Sequence, residues 1–468
     1  MNKFRCKNCK CLISELDPVL CPNCGSKDCF EECKMIPISE DNLGVCRINK
    51  KCINCGLCKK VCLENIGNSN DDGKKCINCG QCIINCPMGA IVPKYDYKKV
   101  KVEIDNPQKI VVALISPAVR ASLGEEFGME VGTNVEQKIV TSLKKIGFNY
   151  VFDTTFGADL TVMEEASELL ERIRTKGKLP QFTSCCSSWV KYLEIFHPEL
   201  LPNLSSCKSP ISMQNAMIKT YFAKENNLDS TNIVTVAITP CTSKKVEIKR
   251  AELLYGDYVL TTSELALFLR EENIDFKNLV DTNFDPIFSH GSGAGVIFGN
   301  SGGVTEAVIR TLYYFLTGNN LSDKYLNYSP VRGFNNLKET IVKINNFEIR
   351  VLVIFGLNNF EKVIDKIGNY HFIEVMNCKG GCIGGGGQPL IPIAKQEEIY
   401  KKRIQCLYNC DIIDNVRSSY QNPDIRQIYQ KYLGRPLSKI SMELLHTTFS
   451  DKSSLLKNSN ENKLRKEV

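Results

Sequence analysis

The sequence has 468 residues, of which 43% are apolar, and its formal net charge is +7. These values are typical of a globular protein of roughly three domains, and no apolar run reaches the ~18 residues that a membrane-spanning helix requires. The first residues carry neither a hydrophobic leader nor a twin-arginine signal, so we expect a cytoplasmic protein.

Cysteine is unusually abundant, with 24 residues against only 4 histidines. In a reducing compartment such a count favours metal thiolates over disulfides. Scarce histidine disfavours zinc hydrolases and copper sites, which depend on imidazole ligands. Because thiolates bound to metal clusters would reduce the positive charge, we do not expect a nucleic-acid partner.

The first segment, residues 1–46, contains eight cysteines and few large apolar residues. The pairs "CKNC" and "CPNC" resemble the two knuckles of a zinc ribbon and would supply four thiolates, Cys6, Cys9, Cys21 and Cys24. Four cysteines are left over: Cys11, Cys29, Cys33 and Cys46. The segment is therefore interpreted as metal-binding, with a zinc ribbon, an additional iron-sulfur cluster and no metal as the three alternatives.

Residues 47–100 contain two C-x2-C-x2-C-x3-C runs, the pattern of bacterial ferredoxins with two 4Fe-4S clusters. In that pattern the fourth cysteine of each run binds the other cluster. One cluster is therefore expected on Cys52, Cys55, Cys58 and Cys86, and the second on Cys76, Cys79, Cys82 and Cys62. The pattern predicts a ferredoxin-like α+β domain.

From about Lys109 onward the sequence alternates between strand-like and helix-like segments. Three apolar runs predict buried strands, "KIVVALISPAV" (109–119), "NIVTVAITP" (232–240) and "IRVLVIFG" (349–356). The segment "LTVMEEASELLERIRTKGK" (160–178) predicts a helix that ends at a glycine. This alternation indicates a parallel α/β core over residues 105–450, followed by a polar tail, 451–468, that we expect to be disordered.

Three cysteine-containing elements lie within the α/β region: "TSCCSSW" (183–189), "TPCTSKKVE" (239–247) and "EVMNCKGGCIGGGGQP" (374–389). Cys378 and Cys382, with one cysteine from each of the other two elements, would give four thiolates, the number that a buried 4Fe-4S cluster needs. Neighbouring residues in an extended segment point to opposite faces, so Cys185 and Cys186 cannot easily bind the same metal ion. The glycines at 384–387 would let the backbone approach a bulky group closely.

These three elements resemble the signature motifs of iron-only (FeFe) hydrogenases. The resemblance covers about residues 50–450 and includes "GADLTVMEEASELL" (157–170), "FGNSGGVTEAVIRT" (298–311) and "GRPLSKISMELLHTTF" (434–449). It implies a two-lobed α/β catalytic core that clasps an H-cluster. This cofactor joins a 4Fe-4S cluster to a two-iron unit carrying CO, cyanide and an amine-containing dithiolate.

By this resemblance, the 4Fe-4S part of the H-cluster would be held by Cys186, Cys241, Cys378 and Cys382, with Cys382 bridging to the two-iron unit. Cys185 would relay protons to the amine, a role suited to a thiol whose pKa is tuned by its surroundings. Lys244 would donate a hydrogen bond to a cyanide ligand, and Met376 would pack beside the cluster. Pro117 and the glycines of 384–387 would line the cavity.

Two carboxylates are candidates for a proton route. Glu165 and Glu168 lie three residues apart and share one face of the predicted helix. From the residues alone, a solvated pair on a helix surface is the simpler interpretation. The resemblance matches both of them to the proton path of the family, and Ser205 to its serine.

The sequence departs from the usual family pattern at four positions. Ser187 replaces the commonest proline after the cysteine pair, Thr239 replaces a methionine, and Ile211 and Ser212 stand where two glutamines are frequent. None of these changes removes a predicted ligand. They predict a divergent subgroup in which hydrogen bonding around the cofactor, and with it the redox potential, is altered.

The sequence therefore predicts a monomeric hydrogenase that catalyses 2H+ + 2e− ⇌ H2 with ferredoxin as electron carrier and receives its cofactor from maturation proteins. "GSGAGVIFGNSGG" (291–303) does not match G-x-G-x-x-G and there is no Walker motif, so we expect no nucleotide site. The alternatives are a sensory hydrogenase and an iron-sulfur assembly protein that lacks the two-iron unit. Cys207, Cys406 and Cys410 fit no motif and are interpreted as ordinary thiols.

Overall fold

The computed structural model describes residues 45–49, 51–67, 75–288, 291–322, 329–330, 337–344 and 347–456. The predicted metal ligands Cys6, Cys9, Cys21 and Cys24 lie outside these described residues. Within them, no helix combines the length and the apolar character needed to cross a bilayer.

The strands of the described residues form a two-stranded, a four-stranded and a five-stranded sheet. In chain order they are β1 (Cys46–Ile48), β2 (Ile91–Pro93), β3 (Ile110–Ile115), β4 (Tyr150–Asp153), β5 (Gln181–Phe182), β6 (Ile233–Thr239), β7 (Tyr258–Thr261), β8 (Ser329–Pro330), β9 (Leu337–Ile344), β10 (Phe347–Phe355) and β11 (Phe372–Met376).

Helices flank these sheets, and two of them continue into a π-helical turn, at Ile218–Phe222 and at Tyr429–Leu433. The α-helices of the described residues span Leu57–Ile66, Gln81–Ile84, Tyr97–Asp105, Pro117–Arg120, Glu136–Ile146, Thr155–Thr175, Ser187–Phe196, Pro210–Met217, Ala223–Glu225, Lys244–Glu247, Thr262–Glu271, Gly293–Ile297, Gly303–Thr317, Leu357–Glu361, Gln396–Ile413, Pro423–Ile428 and Lys439–Leu445.

The first lobe is built on the four-stranded sheet, which is parallel throughout in the order β4-β3-β6-β7. Its central strand β3 is buried on both faces: Val112 and Leu114 join one hydrophobic cluster, whereas Val111, Ala113 and Ile115 join another. Continuous apolar runs of this kind are typical of strands covered by helices on both sides. The strand ends at Ile115, and Pro117 starts a helical turn at the end of the run 109–119.

The second lobe is built on the five-stranded sheet, in the order β5-β11-β10-β9-β8. Strands β5, β11 and β10 are parallel, but β9 runs antiparallel to both β10 and β8. The expectation of a wholly parallel core is therefore wrong for this sheet. Only two residues, 345–346, separate β9 from β10, and a parallel pair would need a crossover of a dozen or more.

The long helix Thr155–Thr175 packs between the lobes and carries Glu165 and Glu168. It begins five residues before the predicted start and ends before Gly177, because Lys176 adopts a left-handed conformation with φ of 56°. Its first fifteen residues include a nearly continuous buried stretch, Thr155–Ala166. The helix is thus a central element and not a solvated surface helix.

The ferredoxin-like module pairs β1 with β2 in antiparallel fashion. Strand β1 starts at Cys46, so it crosses the predicted boundary between residues 46 and 47. At the other end of the chain, Lys452 Nζ lies 2.7 Å from Glu194 Oε2. The prediction of disorder is therefore wrong for residue 452, whereas residues 457–468 lie outside the described part of the chain.

Candidate active site

The three cysteine-containing elements each follow the carboxyl end of a parallel strand. Cys185 and Cys186 come shortly after β5, Cys241 follows β6 by two residues, and Cys378 follows β11 by two residues. The carboxyl ends of parallel strands are where α/β sheets bind ligands, because the connecting loops gather there. The fold therefore brings segments separated by nearly two hundred residues to one place.

One cavity lies between the lobes and is lined by all of these cysteines. The predicted cofactor contacts Lys244 and Met376 line it as well, and so does Pro117. Of the glycine run 384–387, Gly385 lines the cavity, whereas a Cβ on Gly386 would lie 2.5 Å from the backbone of Gly80. Most of the glycines at 384–387 therefore allow close contact between protein segments and do not line the cavity.

Four thiols surround this cavity closely enough to influence one another. Burial raises the pKa of Cys378 well above its usual value, and the charges of Cys241 and Cys186 raise it further. Burial likewise raises the pKa of Cys241 to about 11, although the ammonium of Lys244 opposes the shift. Buried thiols crowded in this way fit an iron-sulfur cluster, whose cations offset the charge of the thiolates.

The neighbouring cysteines Cys185 and Cys186 have different surroundings. Cys186 caps the helix Ser187–Phe196 in an extended conformation, with φ of −86° and ψ of 103°. Burial raises the pKa of Cys185 well above its usual value, and the charge of Glu165 is the next contribution. Cys185 therefore remains a protonated thiol near neutral pH and faces a carboxyl group.

Glu165 is fully buried. Neither carboxyl oxygen makes a hydrogen bond of normal geometry with the described residues. Burial raises the pKa of Glu165 well above its ordinary value of 4.5, and the charge of Glu168 raises it further, with a smaller opposing contribution from Ser205. Burial and the charge of Glu168 thus favour the protonated form of Glu165, and both Cys185 and Ser205 interact with it.

Glu168 has an extensive set of hydrogen-bond donors. Its Oε2 accepts a bond of 2.8 Å from Ser205 Oγ and one of 3.0 Å from the backbone N–H of Ser206. Its Oε1 lies 2.7 Å from Arg172 Nη2. Sequence reasoning missed Arg172, although its position four residues after Glu168 on the same helix is a recognisable signal.

A second buried carboxylate, Glu247, was also missed from sequence. It pairs with Lys244 Nζ at 2.6 Å and accepts hydrogen bonds from Ser212 Oγ at 3.1 Å and from the hydroxyls of Ser187 and Ser209. Burial alone would raise its pKa, but the charge of Lys244 and these donors lower it. Two departures from the family pattern, Ser187 and Ser212, thus contact the same carboxylate.

The ferredoxin-like module places Cys62, from the first run, near the second run. Burial raises the pKa of Cys79, and the charges of Cys82, Cys62 and Cys76 raise it further. The predicted exchange of fourth ligands requires Cys62 to lie beside the second run in this way. In the other predicted set, Cys58 and Cys86 pack against one hydrophobic cluster, whereas Cys52 and Cys55 are half-buried.

Two side chains join this module to the α/β domain. Asn65 Nδ2 donates a hydrogen bond of 2.9 Å to Asn377 Oδ1, and Gln81 Nε2 donates one of 3.2 Å to Cys378 Sγ. The charge of Cys79 also influences the pKa of Cys378. The second cysteine run therefore lies directly beside the cavity.

Comparisons with known proteins agree with this arrangement. Residues 109–386 match the family described as iron only hydrogenase large subunit, C-terminal domain. Residues 397–452 match iron hydrogenase small subunit, and residues 71–92 match the 4Fe-4S binding domain.

The individual relatives include proteins named as hydrogenases and proteins named as iron-sulfur assembly components. The chain is 42% identical to iron hydrogenase 1 of Clostridium pasteurianum, over 85% of this chain and 74% of that protein. It is 30% identical to cytosolic iron-sulfur assembly component 3 of Rattus norvegicus, over 75% of this chain and 76% of the relative. A solved apo FeFe-hydrogenase variant from Chlamydomonas reinhardtii is 37% identical with a TM-score of 0.68, covering 76% of this chain and 99% of the other.

Proposed function

The chain belongs to the iron-only hydrogenase family, and from that premise we propose that it catalyses 2H+ + 2e− ⇌ H2 with ferredoxin as its electron carrier. The convergence of four thiols and the separate thiol Cys185 on one cavity carries this proposal. Metal ligands and an acid–base group are both needed, because each turnover handles two electrons and two protons.

Members of this family carry an H-cluster and 4Fe-4S clusters, and the residues around the cavity fit such a cofactor. Cys186, Cys241, Cys378 and Cys382 would hold it, since their buried sulfurs are soft ligands suited to iron. When bound, the cofactor supplies the redox-active iron atoms and the amine base of the reaction. Lys244 lines the cavity with an ammonium fixed by Glu247.

Protons would move along residues of the chain itself. Glu165, whose pKa is raised by burial, interacts with Cys185 and with the Ser205 hydroxyl, and that hydroxyl donates to Glu168 at 2.8 Å. Arg172 holds the other oxygen of Glu168 at 2.7 Å and so fixes its orientation. The thiol, the two carboxyl groups and the hydroxyl of this route can each accept a proton on one side and release one on the other, as a relay requires.

Electrons would enter through the ferredoxin-like module. Cys52 and Cys55 are half-buried, and Lys51, next to Cys52 in the chain, is exposed; a positive charge at this position would favour an acidic protein carrier such as ferredoxin. The second set, Cys62, Cys76, Cys79 and Cys82, would pass the electrons on toward Cys378, whose pKa is influenced by the charge of Cys79.

We further propose a cytoplasmic monomer whose two-iron unit is inserted by maturation proteins. The described cysteines form no disulfide among themselves, which suits a reducing compartment. Light scattering of the purified protein would test the monomer, since a dimer would double the measured mass. Fractionation of the source cells would test the location.

Infrared spectroscopy of protein produced with the hydrogenase maturation machinery is the deciding experiment. We expect absorption bands of CO and cyanide ligands, together with H2 production from reduced ferredoxin. A Cys382→Ser variant should lose the bands, whereas Cys406→Ser, which alters a buried thiol away from the cavity, should keep them. Absence of the bands from the wild-type protein would contradict the proposal.

The assembly function remains the second candidate because the rat relative named as an assembly component is matched over 75% of this chain. An assembly protein has no need of a buried acid beside an additional thiol, so Glu165 and Cys185 favour the enzyme. Protein with 4Fe-4S clusters but without CO and cyanide bands would support the assembly function. Intact bands with very weak turnover would support a sensory hydrogenase.

A further inference from the structure

Three different metal-ligating side chains meet at the outer end of the proposed proton route. Glu168, Cys207 and His446 come from distant parts of the chain, and their ligand atoms all lie within 4.8 Å of one another. Cys207 is 1% exposed, and the side chains of His446 and Glu168 are 2% and 13% exposed. Carboxylate, thiol and imidazole together form a donor set typical of zinc sites.

His446 is oriented as metal-bound histidines usually are. Its Nε2 lies 3.0 Å from Glu164 Oε2, and its Nδ1 lies 2.8 Å from Ser206 Oγ. Glu164 accepts a hydrogen bond from Nε2 when the imidazole proton is on that nitrogen. In this tautomer Nδ1 carries a lone pair that is directed toward Ser206 and Glu168. A carboxylate behind the histidine is the common support of a metal-binding imidazole.

Glu164 itself is rigidly held. It is fully buried and accepts hydrogen bonds from Tyr429 Oη at 2.5 Å and from the backbone N–H of Leu437 at 2.8 Å. The histidine is therefore fixed before any cation arrives, which lowers the cost of binding.

Cys207 matches no motif of the cluster-binding elements and does not line the main cavity. Its Sγ lies 3.9 Å from Glu168 Oε2, the same oxygen that Ser205 and Ser206 contact. The thiol thus faces the carboxylate on which a cation would have to bind.

We propose that Glu168, Cys207 and His446 form a binding site for a divalent cation of the zinc class. Binding would release the thiol proton of Cys207, and the two charges of the cation would be balanced by one carboxylate and one thiolate. Ligand atoms around tetrahedral zinc are about 3.3–3.8 Å apart, so side-chain movements of about 1 Å would close the site. Arg172 would keep its contact with the other oxygen of Glu168.

A cation at this position would obstruct proton transfer, a consequence that rests on the proposed function. It would take Glu168 Oε2, to which Ser205 now donates, and so separate the hydroxyl from the carboxylate. The cation would therefore act as an inhibitor at a site separate from the H-cluster.

The test is titration of the cluster-loaded protein with Zn²⁺, with binding followed by calorimetry and by the infrared S–H stretch. We expect one zinc ion more per chain in the wild-type protein than in Cys207→Ser, with loss of one S–H band and release of one proton. Cys406→Ser alters another buried thiol and should bind as the wild type does. His446→Gln should weaken the same binding event at least tenfold, which provides a second variant should Cys207→Ser misfold.

Zinc binding that is equal in the wild-type protein, Cys207→Ser and His446→Gln would overturn the proposal. H2 turnover is measured in parallel and separates this inference from the proposed function. Binding that depends on Cys207 and inhibits turnover supports both. Binding that depends on Cys207 without inhibition supports the metal site and contradicts the role of Glu168 in proton transfer.

Discussion

Gln81 Nε2 donates a hydrogen bond of 3.2 Å to Cys378 Sγ and one of 3.0 Å to the carbonyl oxygen of Gly384. A side chain of the ferredoxin-like module thus contacts a predicted ligand of the catalytic cofactor. Hydrogen bonds to cluster sulfurs stabilise the reduced, more negative state, and so raise the reduction potential.

Gln81→Leu should therefore lower the midpoint potential of the cluster held by Cys378. A difference of roughly 0.5–1 kcal/mol between the oxidised and reduced states corresponds to about 20–40 mV for one electron. Infrared spectroelectrochemistry would measure the shift. Gln405→Leu, at an exposed position, should leave the potential unchanged, and an equal shift in both variants would refute the assignment.

Cys185→Ser should retain the CO and cyanide bands and lose most H2 turnover. The hydroxyl is a much weaker acid than the thiol, so proton delivery to the cofactor should slow by roughly 10²–10⁴-fold. Infrared spectra and H2 evolution of the same preparation would separate cofactor loss from proton transfer. Undiminished turnover would show that Cys185 does not take part in proton transfer.

Ser205→Ala and Ser206→Ala form a matched pair, because both hydroxyls contact Glu168 Oε2, at 2.8 Å and 3.3 Å. Only Ser205 also influences Glu165. We expect Ser205→Ala to reduce turnover at least about tenfold, as loss of a proton-transfer group does, and Ser206→Ala to have a much smaller effect. Similar losses in both variants would indicate that the hydroxyls merely orient Glu168.

Glu165 should make the stability of the protein depend on pH. Its pKa is raised in the folded state, so its contribution to stability is present below the ordinary value of 4.5 and is lost as the pH rises through the raised pKa. Relative to Glu165→Gln, the wild-type free energy of unfolding should fall in this window by up to about 1.4 kcal/mol per pH unit. Chemical denaturation at several pH values would measure this difference. The same pH dependence of the unfolding free energy in both proteins would contradict the raised pKa of Glu165.

Ser187→Pro would restore the residue that is commonest in the family. Position 187 is the first residue of its helix and follows an extended residue, so proline fits the backbone. Loss of the hydroxyl removes one donor from Glu247, which should cost about 1–2 kcal/mol, offset in part by the rigidity of proline. Denaturation of the variant and of Ser187→Ala would separate the two contributions.

The cysteine spacing was sufficient to predict the two-cluster module, and the buried apolar runs predicted β3 and β6 of the parallel sheet and β10 of the mixed sheet, but not β4 or β7. The antiparallel β9 had no comparable signal, because "LKETIVKI" (337–344) alternates polar and apolar residues only partly. The start of the helix Thr155–Thr175 was also displaced, because it lies five residues before the predicted start.

Within the site, sequence reasoning found the side chains that belong to contiguous motifs. It missed Arg172 and Glu247, whose importance depends on what they contact after folding, and it treated Cys207 as an ordinary thiol. Cys207 and His446 are 239 residues apart, and their proximity results from a single backbone bridge between them. No local pattern encodes such a contact, since it is set by how the last helices pack on the core.

The close approach of Gly386 to Gly80 sets how closely the ferredoxin-like module packs on the segment that carries Cys378 and Cys382, and so the width of the gap in the proposed electron route. A Cβ on Gly386 would lie 2.5 Å from the Cα of Gly80, so even alanine there would push the module away from Cys378. Electron tunnelling weakens exponentially with the width of the gap. A single methyl group at this position would therefore slow the arrival of electrons while every iron ligand stayed in place.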